Sequence, residues 1–328
     1  LGSTYSSGAG ADTITGALTS LVATGVLDHV IDGGDGIDTL SVSGTAAAVV
    51  TDNHFTNVSN MEKLTLAASA SSSVTTGGAF NSAFADGVTI TAAALADEKT
   101  FTYSGGLYGQ DTVIALTTSS LGNATAEDIT VTTGAGSDTV TITASSFVGQ
   151  AADSGTITVN TRAGDDTITV TGGALLATTI SQAYAVTPGT GADTVTLSAG
   201  ANSTTVTAHA IVTIVDGDSL AASRDKITNF SIADGTNRSD TLDFDTATVG
   251  TLGTSVDFGV IKSHDITTGV ATFDDAAVHA TALVINSSNL ADVLGYIEQN
   301  TVANNVIAFT YDSTGSGAVD ATMVFHND

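Results

Sequence analysis

Ile129-Thr-Val131-Thr-Thr-Gly134-Ala-Gly136-Ser-Asp138-Thr-Val140-Thr-Ile142 reads as a strand, a glycine turn and a second strand. The phrase returns as Ile157-Thr-Val159, then Ala163-Gly164-Asp-Asp166-Thr-Ile168-Thr-Val170. It returns again as Val186, then Gly189-Thr-Gly191-Ala-Asp193-Thr-Val195-Thr-Leu197. Self-similarity with a period of 27 to 28 residues marks a solenoid, in which each repeat is one coil that cannot bury its apolar face alone. In Thr139-Val140-Thr141-Ile142-Thr143 apolar and hydroxyl side chains alternate, so they fall on opposite faces of a strand. Val140, Ile168 and Val195 are therefore expected to stack inside the coil. The competing reading is a β-sandwich built of similar hairpins.

Working outward, the same turn is found near the start of the chain. Ser7-Gly8-Ala-Gly10-Ala-Asp12-Thr-Ile14 is one example, and Gly33-Gly34-Asp35-Gly36-Ile-Asp38-Thr-Leu40 is the fullest. Gly109-Gln-Asp111-Thr-Val113 stands 27 residues before Asp138. Between Asp38 and Asp111 the glycines thin out, but an acid-x-aliphatic step recurs at Glu62-Lys-Leu64 and Asp86-Gly-Val88. The spacing predicts an all-β chain: a right-handed parallel β-helix or β-roll of about 24–28 residues per coil over residues 1–224. A small mixed cap is expected over residues 225–328.

Composition agrees with a folded β-protein. The 328 residues include 35 Gly, one Pro, no Cys and no Trp, and 42% are hydrophobic, which excludes a disulfide framework, thiolate metal sites and a disordered chain. No run of eighteen apolar residues is present, so no helix is expected to span a membrane. The chain opens at Leu1 without the basic-then-apolar pattern of a signal peptide, and is read as a piece of a longer polypeptide. Seven Lys and Arg against 34 Asp and Glu give a formal charge of −27, which disfavours nucleic acid and anionic membranes as partners. The natural complement is a cation.

The turn Gly33 to Leu40 fits the nonapeptide G-G-x-G-x-D-x-U-x. On that turn and its partial copies the chain resembles the RTX (repeats-in-toxin) family of secreted bacterial proteins. The resemblance implies Ca²⁺ as the bound ion. The candidate metal residues are Gly8, Gly10 and Asp12; Gly33, Gly34, Asp35, Gly36 and Asp38; Gly109 and Asp111; Gly134, Gly136 and Asp138; Gly164 and Asp166; and Gly189, Gly191 and Asp193. The chemistry is consistent, because glycine at φ > 0 turns carbonyls inward and aspartate supplies the hard oxygen that calcium prefers. Carboxylates stacked one per coil, ~4.8 Å apart, repel and need a counter-charge. RTX rolls usually run such nonapeptides in tandem; here one turn recurs per coil, so calcium turns would line a single edge.

Two further phrases narrow the resemblance to calcium-dependent surface-layer and large surface proteins of Gram-negative bacteria. Phe55-Thr-Asn57-Val58-Ser59-Asn60-Met61-Glu62-Lys63-Leu64 looks like the segment that follows a calcium turn in those proteins. Asp225-Lys-Ile227-Thr-Asn229-Phe230 with Asp240-Thr-Leu242-Asp243-Phe244 looks like the passage that closes many RTX regions. After it the period fades. Ser288 is expected to cap a helix from Asn289 to about Gln299, with Leu290, Val293, Leu294 and Ile297 on its apolar face. Strands are expected at Val306–Tyr311 and Thr322–Phe325, around the turn Ser313 to Gly317. The resemblance implies an uncleaved type I secretion signal in this last part of the chain; an ordinary cap is the alternative.

Catalytic signals are sparse. There is no His-Glu-x-x-His and no Gly-x-Ser-x-Gly, and His29, His54, His209, His264, His279 and His326 are scattered. The pairs Asp165-Asp166 and Asp274-Asp275 do not suit an acid/base dyad, because neighbours on a strand face opposite ways. The chain is expected not to be an enzyme. It is read as a secreted, extracellular structural protein of a cell-surface lattice whose partner is itself, with cell-surface polysaccharide as a second candidate partner. The alternatives are an RTX adhesin or matrix protein, an ice-binding face made by the threonines 139, 141, 143, 167, 169, 171, 194 and 196, and the calcium and secretion module of a hydrolase.

Overall fold

A computed structural model of the chain describes residues 4–18, 30–44, 47–67, 70–96, 99–118, 128–144, 146–147, 156–172, 174–175, 182–198, 208–231, 240–244, 248–253, 256–267 and 269–327. His29 lies outside the described residues. The chain divides into two units, Leu1–Asp243 and Phe244–Asp328.

The first unit is a parallel β-solenoid. Strands that follow the turns form one nine-stranded sheet: Thr13–Ala17, Thr39–Ser43, Lys63–Leu66, Val88–Ala92, Thr112–Thr118, Thr139–Ala144, Thr167–Thr171, Thr194–Ser198 and Lys226–Thr228. Strands that precede the turns form an eight-stranded sheet running from Ala48–Val50 to Thr241–Phe244, and a shorter one made of Thr4–Ser6, Val30–Asp32 and Val58–Ser59. The boundary between units falls after Asp243 and not at residue 224. Lys226–Thr228 still pairs in parallel with Thr194–Thr196, and Asp240 caps the neighbouring sheet by accepting the Ala210 N–H at 2.9 Å and the Ser231 N–H at 2.8 Å.

The interior is the alternating pattern made three-dimensional. Leu40, Leu64, Ile90, Ile114, Val140, Ile168 and Val195 occupy one register column, and all are fully buried. Facing them, Val50, Val74, Tyr103, Val131, Val159, Val186 and Val212 form another. Each such aliphatic contributes about 1.5–3 kcal/mol by leaving water. Parallel pairing in register repeats this contact in every coil, so stability accumulates by stacking.

Two coils depart from the pattern. Between strand and turn the chain forms a 3-10 helix at Asp52–Phe55 and a short α-helix at Gly78–Ala83. The two are tied by Asp52, whose carboxylate accepts the Phe80 N–H at 2.8 Å. Phe55, Phe80, Phe84 and Tyr108 fill this corner as an aromatic cluster, with ring centroids 4.7–5.6 Å apart. The Tyr108 hydroxyl donates to the Phe84 carbonyl at 2.6 Å, so its buried polar tip is satisfied.

The second unit is a mixed sheet under one helix. Asn305–Tyr311 lies parallel to Val270–Asp274 and antiparallel to Ala321–Asn327, while Ser263–Thr267 returns antiparallel to Val270–Asp274. The helix spans Leu290–Asn300 and buries Leu290, Val293, Tyr296 and Ile297 with Phe273, Ile307 and Phe309. The cap position is Asn289 and not Ser288. Ser288 instead bonds through its N–H and hydroxyl to Asn286 Oδ1, as a turn that leads into the helix.

Candidate metal centre

Register between coils defines one inward column at the end of each turn. Its occupants are Asp12, Asp38, Glu62, Val88, Thr112, Asp138, Asp166, Asp193 and Asp225, the residues that pair one position before the matched strand residues. The acids in this column are linked head to tail. The Asp12 N–H donates to Asp38 Oδ1 at 2.8 Å, and the Asp38 N–H to Glu62 Oε2 at 2.6 Å. Further along, the N–H groups of Thr112, Asp138, Asp166 and Asp193 donate to the carboxylates of Asp138, Asp166, Asp193 and Asp225 at 2.6–3.0 Å. Ser219 ends the row by accepting the Asp225 N–H at 2.8 Å.

One oxygen of Asp38, Asp138, Asp166, Asp193 and Asp225 is thereby used, and the other is left over. The Oδ2 atoms of Asp12, Asp38, Asp138, Asp166, Asp193 and Asp225 are buried without a hydrogen-bond partner. Asp38 is 0% exposed, and Asp138, Asp166 and Asp193 are each 1% exposed. A buried carboxylate oxygen left unpaired is costly, and a row of them is costlier. At the coil spacing of ~4.8 Å, adjacent ionised carboxylates repel by roughly 3 kcal/mol at an effective dielectric near 20. Burial raises the pKa of Asp138 and pushes Asp166 and Asp193 up to about 7 and Asp225 to about 6. The donated N–H groups oppose that rise, and the neighbouring acids add to it.

These shifts carry a pH prediction. A carboxyl raised above its unfolded value of about 4 makes the folded chain bind protons more tightly than the unfolded one. The stability this gives is complete below about pH 4 and is lost as pH rises through the folded values, to about pH 7. In chelator, the urea midpoint should fall from pH 5 to pH 8. A midpoint that stays flat or rises over that interval would show that the row is not held as unpaired carboxylates.

The glycines have two structural roles. Gly36 and Gly164 adopt φ of +145° and +133°, and a Cβ on either would run into the carbonyl oxygen of the equivalent glycine one coil earlier, Gly10 or Gly136. Gly191 repeats this against Gly164, while Gly34 and Gly189 press on Gly8 and Arg162 in the neighbouring glycine position. Gly33 and Gly134 approach the carbonyls of Asn60 and Tyr108 in the same way. The turns are zipped by backbone pairing, Ala9 with Asp35 and Ala135 with Ala163 and then Thr190. Asp35 itself is exposed.

Gly109 and Asp111 do not join this arrangement. Asp111 is exposed and accepts the Ser137 N–H at 2.7 Å, while Thr112 takes the column position and is fully buried. Gly109 meets nothing within 4 Å and lacks a positive φ. The 27-residue spacing pointed to Asp111, but the cross-coil register is one residue further on. Asp86 is likewise exposed, with Val88 in the column. Glu62 does occupy it, as the acid-x-aliphatic step suggested. Asp225 extends the row although it lacks a glycine turn.

Thr133 and Thr161 were missed in the sequence reading. Both are fully buried, each five residues before an aspartate of the row, Asp138 or Asp166. Their hydroxyls donate to the carbonyls of Thr161, at 3.1 Å, and Pro188, at 2.6 Å. The recurrence of threonine five residues before the aspartate was the available signal.

Among the described residues, no three acidic or imidazole side chains converge on a point that could hold a metal ion. The carboxylates are strung along a line, one per coil on either side of Val88 and Thr112. The donor set that the row offers is hard oxygen, the unpaired carboxylate oxygens of its aspartates. That set fits Ca²⁺ and not a soft transition metal.

Elsewhere, Asp165 and Asp166 face apart: Asp165 is exposed and accepts the Ala192 N–H at 2.9 Å, and Asp166 is buried. Asp274 closes a loop by accepting the N–H groups of Ala280 and Thr281 at 2.7 and 2.8 Å, which hold it below the usual carboxylate range. The outward column holds Thr15, Ser41, Thr65, Thr91, Ala115, Thr141, Thr169, Thr196 and Thr228, so seven of its nine members are threonine and Ala115 interrupts the hydroxyls. No helix among the described residues is long and apolar enough to cross a membrane. No family model, no curated protein and no solved structure matches the chain.

Proposed function

We propose that the chain is a calcium-stabilised structural solenoid of the RTX type that serves as a building block of a secreted, extracellular surface layer. The observation that carries the reading is the buried row of aspartates with unpaired Oδ2 atoms in a chain of formal charge −27. Asp12, Asp38, Asp138, Asp166, Asp193 and Asp225 would hold calcium, with the glycine turns providing carbonyl oxygens. Bound calcium supplies positive charge that cancels the repulsion along the row. The protein's own residues do the rest: the N–H groups orient each carboxylate, the glycines let the coils approach, and the aliphatic columns exclude water.

Such a molecule is suited to mechanical work and not to turnover. Calcium bound to the folded chain alone stabilises it by mass action, and at extracellular calcium the coils would be held shut. Lateral contact between copies would use further calcium between acidic surfaces that otherwise repel.

The test is a calcium titration of the purified chain, with β-structure followed by circular dichroism and particle size by light scattering in one sample. Ordered β content should rise first and particle size second. Indifference of both signals to calcium and to chelator would end the reading. A second reading, an adhesin or ice-binding protein, is favoured by the outward column of threonines, broken only by Ser41 and Ala115; soluble monomers that bind a glycan or ice would support it.

A further inference from the structure

The carboxylate row is not continuous, and its interruption divides the solenoid. We propose that it loads cations as two independent segments, Asp12–Asp38–Glu62 and Asp138–Asp166–Asp193–Asp225, separated by Val88 and Thr112. The proposal rests on the calcium reading and adds to it how the site is organised along the chain.

Three observations support the division. First, the head-to-tail bonding stops at Glu62 and resumes at Thr112. At the break, the Val88 N–H is taken by a backbone carbonyl, that of Asp111, at 2.9 Å, so no carboxylate is needed there. Second, the buried, unpaired oxygens that call for a cation lie on both sides of the break: Asp38 at 0% exposure on one side, and Asp138, Asp166 and Asp193 at 1% on the other. Third, the intervening coils are held by other means. Phe80 packs at a tilt against Phe84, with ring centroids 4.7 Å apart, and meets Tyr108 edge-on at 5.2 Å, which is apolar packing that is indifferent to calcium.

Distance makes the segments independent. Neighbouring acids within a segment are one coil apart, ~4.8 Å, so a cation at one alters the next strongly. Glu62 and Asp138 are three coils apart, about 14 Å by the same spacing, which cuts their Coulomb interaction to roughly a third of that between neighbours. The glycine turns follow the same division: Ala9 zips to Asp35 in the first segment, and Ala135 to Ala163 and Thr190 in the second.

Hydrogen–deuterium exchange of the full chain, read peptide by peptide across a titration with Ca²⁺ alone, tests the division. The variants are Asp38→Asn and Asp166→Asn, which keep an oxygen for the neighbouring N–H and so favour folding. In the parent chain, calcium should slow exchange in residues 30–43 and 156–198, roughly tenfold at a free calcium about ten times Kd. Asp38→Asn should remove the effect in 30–43 and leave 156–198 as in the parent, and Asp166→Asn should do the reverse. If either variant weakens protection equally in both regions, the row is one cooperative unit and the division is wrong while the calcium reading stands. If the parent shows no calcium-dependent protection anywhere, both fall.

Discussion

Asp166→Asn is expected to stabilise the metal-free chain and destabilise the calcium-loaded one. In chelator at pH 8, the substitution removes one of a series of like charges stacked a coil apart, for a gain of ~1–3 kcal/mol. It retains an oxygen to accept the Asp138 N–H, now bonded at 2.7 Å. With calcium present, the same change removes a charged oxygen that the ion would use, and the sign reverses. Asp166→Ala separates these terms. It leaves the Asp138 N–H without its acceptor in a buried position, so about 1–3 kcal/mol of the benefit is forfeited with or without calcium. Urea unfolding followed by circular dichroism, with and without calcium, measures all four combinations. A parent chain more stable than Asp166→Asn in chelator would show that the stacked carboxylates do not repel, and the case for a counter-ion would lose its physical basis.

The second large effect is expected at the glycines, and here the contrast between sites is the content. Gly164→Ala and Gly36→Ala should each cost ~3–5 kcal/mol, through φ values closed to L-residues and a Cβ that collides with the coil before. A loss of that size is a large share of a typical domain's stability. Gly109→Ala, in a stretch of similar appearance, should change stability by no more than about 0.5 kcal/mol, because its φ is ordinary and the space beside it is open. Thermal unfolding of the three variants in saturating calcium decides the matter. Equal losses at Gly109 and Gly164 would mean that the turns are equivalent and that the register assigned between coils is wrong.

Much of the architecture was legible because it depends on local pattern. Alternation in Thr139–Ile142 and its copies placed Val140, Ile168 and Val195 inside, and all three are fully buried in one column. The period of 24 to 28 residues announced the coil. The helix near the end was legible from the spacing of Leu290, Val293 and Ile297, although Tyr296 is also buried and Leu294 only partly so. The cap was misplaced by one residue, since Ser288, Asn286 and Asn289 can all serve and only their mutual bonding decides among them.

The candidate site was legible where turns are complete and illegible where they degrade. Asp38, Asp138, Asp166 and Asp193 were found because a glycine turn precedes each. Asp225 was quoted but not counted, since no such turn leads into it. Asp111 was counted because it stands at the right distance from Asp138, yet its side chain is exposed.

What the sequence by itself determined is the set of short-range preferences: which residues alternate, which positions need glycine, and that the units repeat. Those preferences act within a few residues and survive in any correct register. Which residue of one coil sits over which residue of the next was decided only by the tertiary structure, because parallel pairing joins residues some 27 positions apart through backbone hydrogen bonds. A one-residue change there exchanges a buried side chain for an exposed one. It replaced Asp111 by Thr112 in the column, broke the carboxylate row and left two charged segments on either side of an aromatic one.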